Sequence, residues 1–366
     1  MRSGIANLPL HPGKAPRWLF SRMVPLARQI SLYMVEEQGP QEFLSKLSDP
    51  FWFQAFGCVL GFDWHSSGLT TTTGGALKEG LKDLGKDTGV FVAGGKGAVS
   101  RKTPSEIERA SQSFSFDSAP LVYASKMAAK VDSAALQDGY QLYHHNFIFT
   151  KTGEWVVIQQ GMNGITQLAR RYHWISSRVK SFVLEPQSAI CCQAKGKTLN
   201  LVAKESQKNQ KVSVGLINQD KPGELIQRFS KINTLNLPVH HPVYGEDFDR
   251  TRLKKILEFA HSSKPSDFES LLSLKGMGPK SLRALALMAE LIYGEKPSFV
   301  DPARFSFTHG GKDGYPFPVE RDTYNLSIEI LKRAVRRAKL GFYEEKRTIR
   351  RLYDFLNPSG YSANQS

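Results

Sequence analysis

Four groups of residues have types and spacings that could do chemistry. The first is Gly276-Met277-Gly278-Pro279-Lys280-Ser281. Two glycines one residue apart let a chain fold back tightly and approach another backbone. A proline straight after them suits the first position of a helix. The free N–H groups and positive end of that helix would then point outward, where a phosphate docks without regard to base sequence. Lys280 adds a cation there, and Asp301 supplies a carboxylate 21 residues on. The second group is Asp63, which ends the apolar run Val59-Leu60-Gly61-Phe62 and is followed by His65, Ser66 and Ser67. Hydroxyls and turn N–H groups of that kind suit a phosphate, as does Gly94-Gly95-Lys96-Gly97. Neither stretch has the GxxxxGK[ST] spacing of a Walker A loop. The third group is Asp138, Tyr140, Tyr143, His144, His145, Gln159, Gln160, Arg170, Arg171, Tyr172 and His173. Paired glutamines and arginines beside aromatics suit nucleotide contacts. No metal spacing such as HExxH appears among them, so no metal is assigned. The fourth group is basic: Lys312 and Arg321 in a loop dense in glycine, proline and aromatics, then Arg333, Arg336 and Arg337 on a helix. These could track a phosphate backbone or simply face solvent.

The elements that must position these groups follow from periodicity. Apolar pairs at helical spacing from Leu26 to Val35 predict a helix stopped at Gly39-Pro40. Phe56–Phe62 is expected as a buried strand and Gly75–Leu84 as a short helix. Thr103-Pro104-Ser105-Glu106 opens another helix, and residues 119–136 follow the same pattern. The clearest strand signal is Tyr140–Gly161, two apolar arms around a Lys151-Thr152-Gly153 turn. Residues 194–211 are polar and lysine-rich, which predicts an exposed loop or insertion. Pro238 and Pro242 flank His240-His241 in an extended linker. From Asp249 to Leu356 nearly every segment has helical periodicity, so the domain boundary is placed near Tyr244.

The 366-residue length suggests two domains, and no apolar run reaches the 18 residues that a spanning helix requires. The N-terminus lacks the apolar core of a secretory signal. Three cysteines, Cys58, Cys191 and Cys192, give neither a disulfide framework nor a zinc knuckle. The expectation is a cytoplasmic protein, nucleoid-associated in a prokaryote, with no membrane partner. The net charge is +15. It is concentrated in residues 151–200, with 7 basic and 2 acidic groups, and in residues 251–350, with 19 and 12. A polyanion partner fits that excess, and nucleic acid is the commonest one.

The stretch from Asp267 to Tyr293 resembles the helix-hairpin-helix motif of DNA glycosylases such as endonuclease III. Over about 30 residues, Lys280 and Asp301 stand where those enzymes carry a lysine and an aspartate. The resemblance implies a flipped base, Lys280 attacking the anomeric carbon to form a Schiff base, and Asp301 stabilising the charge that develops on the sugar. After Asp301 the chain continues Pro302-Ala303-Arg304 where those enzymes have Thr-His, and no four-cysteine pattern for an iron–sulfur cluster is present. A wider resemblance rests on LPLHPGKAPRWLF, GFDWHSSGLTTTTGGALKEGL, GGKGAVSRKTPSEI, QQGMN, ARRYHW and GMGPK through GGKDGYPFPVER. Together these resemble the domain-of-unknown-function family 763. That resemblance implies a shared fold and assigns no activity.

The sequence therefore predicts an α+β protein. A mixed domain with a β-hairpin spans residues 1–244, a helical nucleic-acid-binding domain residues 245–356, and a disordered tail residues 357–366. Nucleic acid is the expected partner, DNA before RNA, through Gly276, Met277, Gly278, Lys280, Ser281, Lys312, Arg321, Arg333, Arg336, Arg337, Arg170 and Arg171. Three functions stay open: a repair glycosylase/lyase using Lys280 and Asp301, a nuclease centred on Asp63 and His65, or a non-enzymatic binding protein. No cofactor is expected, except that the nuclease alternative would take a divalent metal.

Overall fold

The computed structural model describes residues 15–62, 67–192, 195–232, 250–303, 329–336 and 347–352. Its helices are α1 (Arg17–Ser48), α2 (Pro50–Val59), α3 (Ser67–Leu81), α4 (Gly85–Thr88), α5 (Thr103–Phe114), α6 (Ala119–Lys130), α7 (Gln207–Gln219), α8 (Pro222–Ile232), α9 (Arg250–Ser263), α10 (Phe268–Ser273) and α11 (Pro279–Tyr293). Its strands are β1 (Val90–Lys96), β2 (Leu136–Gln137), β3 (Gln141–Thr150), β4 (Trp155–Asn163), β5 (Leu168–Ile175), β6 (Ala189–Cys191) and β7 (Leu199–Asn200). Residues 329–336 and 347–352 are also helical.

Five strands form one antiparallel sheet in the order β1-β3-β4-β5-β6. Both faces of the sheet are covered, which explains why β4 begins with the unbroken run Trp155-Val156-Val157-Ile158 instead of alternating with polar residues. Trp155 and Val157 join one core with Phe147, Phe149, Tyr172 and Trp174. Val156 and Ile158 join a second core with Ile148 and Ile175 on the other face. Helices α1, α2 and α3 cover that second face, together with Ile330, Leu331, Ala334 and Val335 from residues 329–336. The first face is covered by α5, α6, α7, α9, α10 and α11. Its core takes residues from both sides of position 244, from Phe91 to Leu225 and from Leu253 to Ala303. The chain is α+β, with helices distributed along its length around an antiparallel sheet.

Two sequence expectations are corrected. The apolar run at 56–62 is not a strand: residues 56–59 end α2 and residues 60–62 form the turn after it. Asp49 caps α2 by accepting from the Phe51 and Trp52 N–H groups at 2.8 and 3.0 Å, and Pro50 sits in its first turn. The run begins in a helix buried on nearly all sides, a case that periodicity alone confuses with a buried strand. The 194–211 stretch is not an exposed loop. Leu199, Leu201, Val202 and Ala203 are buried, and α7 turns Asn209 and Gln210 inward. Asn209 donates to the Ala286 and Glu295 carbonyls at 2.9 and 2.7 Å, tying α7 to α11. Its lysines lie on the outer face, so composition masked a buried stripe.

Helix α1 kinks at Gly39, whose φ is +82°, and continues beyond it to Ser48. Helix α10 starts on a reciprocal capping pair, in which Asp267 accepts from the Ser270 N–H and Ser270 accepts from the Asp267 N–H. Gly276 then takes a φ of +89°, a left-handed conformation that costs a residue with a Cβ far more than it costs glycine. Pro279 begins α11, and Met277 between the two helices is buried.

Candidate functional site: a basic cavity under the α10–α11 turn

The turn between α10 and α11 forms one wall of a cavity of about 560 Å³. Met277, Gly278 and Pro279 line that wall. Helix α6 supplies Ser125, Lys126, Ala129 and Lys130, the 3-10 turn before α5 supplies Ser100 and Arg101, and α5 itself supplies Thr103. The floor is β3, through Tyr143, His144 and His145. The fixed charges on this lining, Arg101, Lys126 and Lys130, are all positive.

The loop that brings Arg101 to the rim is held from below. Glu106 accepts from Lys78 at 2.7 Å and from the Gly94 N–H at 2.7 Å, and Lys78 also donates to the Gly94 carbonyl. Gly94 has a φ of +91°, and a Cβ there would lie 2.1 Å from the His145 carbonyl oxygen. Only glycine lets β1 pass this close to the histidine strand.

Lys130 sits at the end of α6 and donates to the Leu274 carbonyl at 2.5 Å. It thereby fastens the α10–α11 turn to the helix that carries Ser125. Gln137 extends the connection, donating to the Pro279 carbonyl at 2.9 Å and accepting from Arg283 at 2.8 Å. Burial lowers the Lys130 pKa.

His145 is the centre of a hydrogen-bonded chain. Its Nδ1 is 2.7 Å from Gln159 Oε1 and its Nε2 is 2.9 Å from Ser125 Oγ. The Gln159 side-chain N–H donates to the Ala128 carbonyl and to Asp132. That leaves Gln159 Oε1 as an acceptor, so the network assigns the proton to His145 Nδ1. Nε2 is then an acceptor, and the Ser125 hydroxyl donates to it. Burial lowers the His145 pKa and holds the imidazole neutral. Asp132 closes the chain inside the protein, accepting also from Trp174 at 2.8 Å and Gln187 at 2.6 Å. Burial pushes the Asp132 carboxyl up to about 7, against the pull of the hydrogen bonds from Gln187, Trp174 and Gln159. It lies in a π-helical turn, Val131–Ala135, at the end of α6; such turns recur at functional sites.

His144 is the other buried imidazole of β3, and its ring turns away from the cavity, towards Gly74 of α3. Neither of its ring nitrogens has a hydrogen-bond partner among the described residues. Burial, then His145 and Lys96, lowers its pKa to about 3.

Residues 4–319 match the family described as protein of unknown function (DUF763). The chain belongs to the DUF763 family. Its matched segment includes every residue named above in the cavity wall and floor. No curated protein and no solved structure matches this DUF763 chain.

The predicted site residues of the DUF763 chain scatter. Gly276, Met277 and Gly278 make the turn, with Ser281 buried and Lys280 exposed in the first turn of α11. Asp301 is buried, and Arg170 grips it at 3.2 and 2.7 Å through both oxygens. The Gly196 and Ala303 N–H groups add bonds at 2.9 and 3.0 Å. Neither Lys280 nor Asp301 lines the cavity.

Arg170 and Arg171 are corrected as surface contacts, because both are fully buried. Arg170 also pairs with Asp138 at 2.8 Å and lies over the Tyr140 ring at 4.5 Å. Arg171 donates to Gln54 at 3.1 Å and lies over Phe53 on the opposite face. Both replace solvent with internal acceptors, as a buried guanidinium must. Arg333 and Arg336 are exposed, but on the helix that packs against the second face, away from the α10–α11 turn. Asp63, His65, Lys312, Arg321, Arg337 and residues 357–366 lie outside the described residues. Among the described residues no group of three or more His, Cys, Asp or Glu is placed to hold a metal. Among those residues, too, no helix is long and apolar enough to cross a membrane.

Sequence reasoning missed Ser125, Asp132, Arg101, Lys126 and Lys130. One signal was present. Ser125 interrupts the apolar stripe Leu121, Val122, Ala124, Met127 and Ala128 of α6, and Asp132 extends it with a carboxylate. Polar groups at inward positions demand partners.

Proposed function

We propose that this protein binds nucleic acid, DNA before RNA, across the α10–α11 turn, and seats one nucleotide in the cavity beneath it. The observation that carries the reading is a nucleotide-sized cavity whose fixed charges, Arg101, Lys126 and Lys130, are all cationic and whose wall is the Met277–Pro279 turn. Pro279 starts α11, so the Lys280 and Ser281 N–H groups belong to the first turn, where helical N–H groups seek outside acceptors. A backbone phosphate docked there places the neighbouring nucleotide over the cavity mouth. Lys280 serves in this reading as a phosphate contact.

The test is fluorescence anisotropy with a labelled 20-base single strand and the matching duplex, as DNA and as RNA, from low to moderate salt. Binding should weaken steeply with salt. Arg101→Glu with Lys126→Glu should lower affinity at least tenfold and flatten the salt dependence by roughly two phosphate contacts. Salt-independent binding, or affinity unchanged in the double variant, would remove the cavity from the interface.

A further inference from the structure

We infer that Ser125 is the nucleophile of a phosphodiester-cleaving reaction, with His145 as its general base. The inference rests on the nucleic-acid reading above and gives the same cavity a chemistry. The geometry is that of an activated hydroxyl. Ser125 lines the cavity, and its Oγ lies 2.9 Å from His145 Nε2. The other ring nitrogen is held at 2.7 Å by Gln159, whose amide is anchored on the Ala128 carbonyl and on Asp132. A nucleophile within reach of a base, with the base oriented by a third group, is the general pattern of covalent catalysis. The orienting group fixes the tautomer that leaves Nε2 free to take the hydroxyl proton. A serine needed only to fill an apolar helix stripe would not require a histidine aligned through a glutamine and a buried carboxylate.

The cationic lining selects the substrate. Arg101, Lys126 and Lys130 favour a phosphate over a neutral acyl group and offset the charge that gathers on its oxygens during displacement. Ser125 Oγ attacks phosphorus and its proton passes to His145 Nε2. The Oγ–P bond forms as the bond from phosphorus to the leaving sugar oxygen breaks, and that oxygen takes a proton from the Lys126 ammonium. Water then attacks phosphorus from the vacated side and gives a proton to Lys126. His145 returns its proton to Ser125 as the Oγ–P bond breaks. Water is the one co-reactant, and every proton is restored.

The test uses the full chain. A fluorophosphonate probe should label the protein on the peptide containing Ser125, and Ser125→Ala should abolish labelling. A 5′-labelled 20-base oligonucleotide, quenched with acid during turnover, should give a covalent adduct on denaturing gels and a shortened product. Both should fall at least a thousandfold in Ser125→Ala. The wild-type protein also carries the proposal past any misfolding of the variant. If it binds the oligonucleotide yet forms neither adduct nor product, this inference fails and the binding reading survives. If it binds none of the four nucleic acids, both fail. Cleavage that persists in Ser125→Ala would overturn the serine. Serine-dependent release from p-nitrophenyl acetate, with no phosphodiester cleavage, would overturn the substrate class.

Discussion

Asp132 gives the sharpest physical prediction. The carboxyl is completely buried and its pKa rises to about 7, against about 3.9 in an unfolded chain. Between those values the folded protein holds a proton that the unfolded chain has released. The unfolded state then binds fewer protons, so stability falls as pH rises through this window, by about 1.4 kcal/mol per unit. Below pH 4 both states are protonated and the contribution is fully favourable; above about 8 both are ionised and the loss levels off. His144, with a pKa lowered to about 3, produces the opposite slope below pH 6.5, because its unfolded state binds the extra proton. His145 and His173, also lowered by burial, act in the same direction. The wild-type curve alone therefore mixes opposing terms. Subtracting the curve of Asp132→Asn isolates the carboxyl, because the histidines stay in both proteins. Urea unfolding at pH 5 and pH 8 should show wild-type stability falling relative to Asp132→Asn by about 2.5 kcal/mol. A difference independent of pH would refute the reasoning, because it would mean the carboxyl is ionised throughout.

Three further outcomes follow. Arg170→Met strands the Asp138 and Asp301 carboxylates beside an apolar group, and losing one side of a buried ion pair costs about 3–5 kcal/mol; a urea midpoint near wild type would contradict this. Gly94→Ala forces a Cβ to within 2.1 Å of the His145 carbonyl, so a fall of several degrees in Tm is expected by calorimetry, and an unchanged Tm would mean that β1 does not press on β3. Lys130→Met removes the donor to the Leu274 carbonyl and one cation of the cavity; it should weaken oligonucleotide binding roughly tenfold while leaving near-neutral circular dichroism unchanged, whereas retained affinity would show that the turn is positioned without it.

What the sequence made legible was local. The β3–β4 hairpin announced itself because a short turn joins two strands rich in β-branched and aromatic residues. The α10–α11 turn did so because glycine and proline leave few other conformations. The α2 run misled because a helix buried all round has no polar face to mark its period. Arg170 and Arg171 misled for a different reason: their charge suggests a surface, and only the tertiary fold supplies Asp138, Asp301, Gln54 and the rings that surround them. Ser125, His145, Gln159 and Asp132 come from α6, β3, β4 and the π-helical turn. No spacing along the chain encodes their meeting, because the helix must first pack onto the sheet. Gln159 was noticed as a polar residue on a strand, but its direction became readable only with the register.

That register has a consequence for how the chain tolerates change in length. His145 stands directly opposite Gln159 across the β3–β4 pair, and their neighbours His144 and Gln160 pair in the next step on the opposite face. Residues 151–154 separate the two strands, so the loop acts as a spacer of fixed count. Deleting one residue there so that the pairing slips by one would turn Gln159 to the other face of the sheet, away from His145. The loop is constrained in kind as well as in count: Gly153 takes a φ of +99°, and Glu154 accepts from the hydroxyls of Thr150 and Thr152.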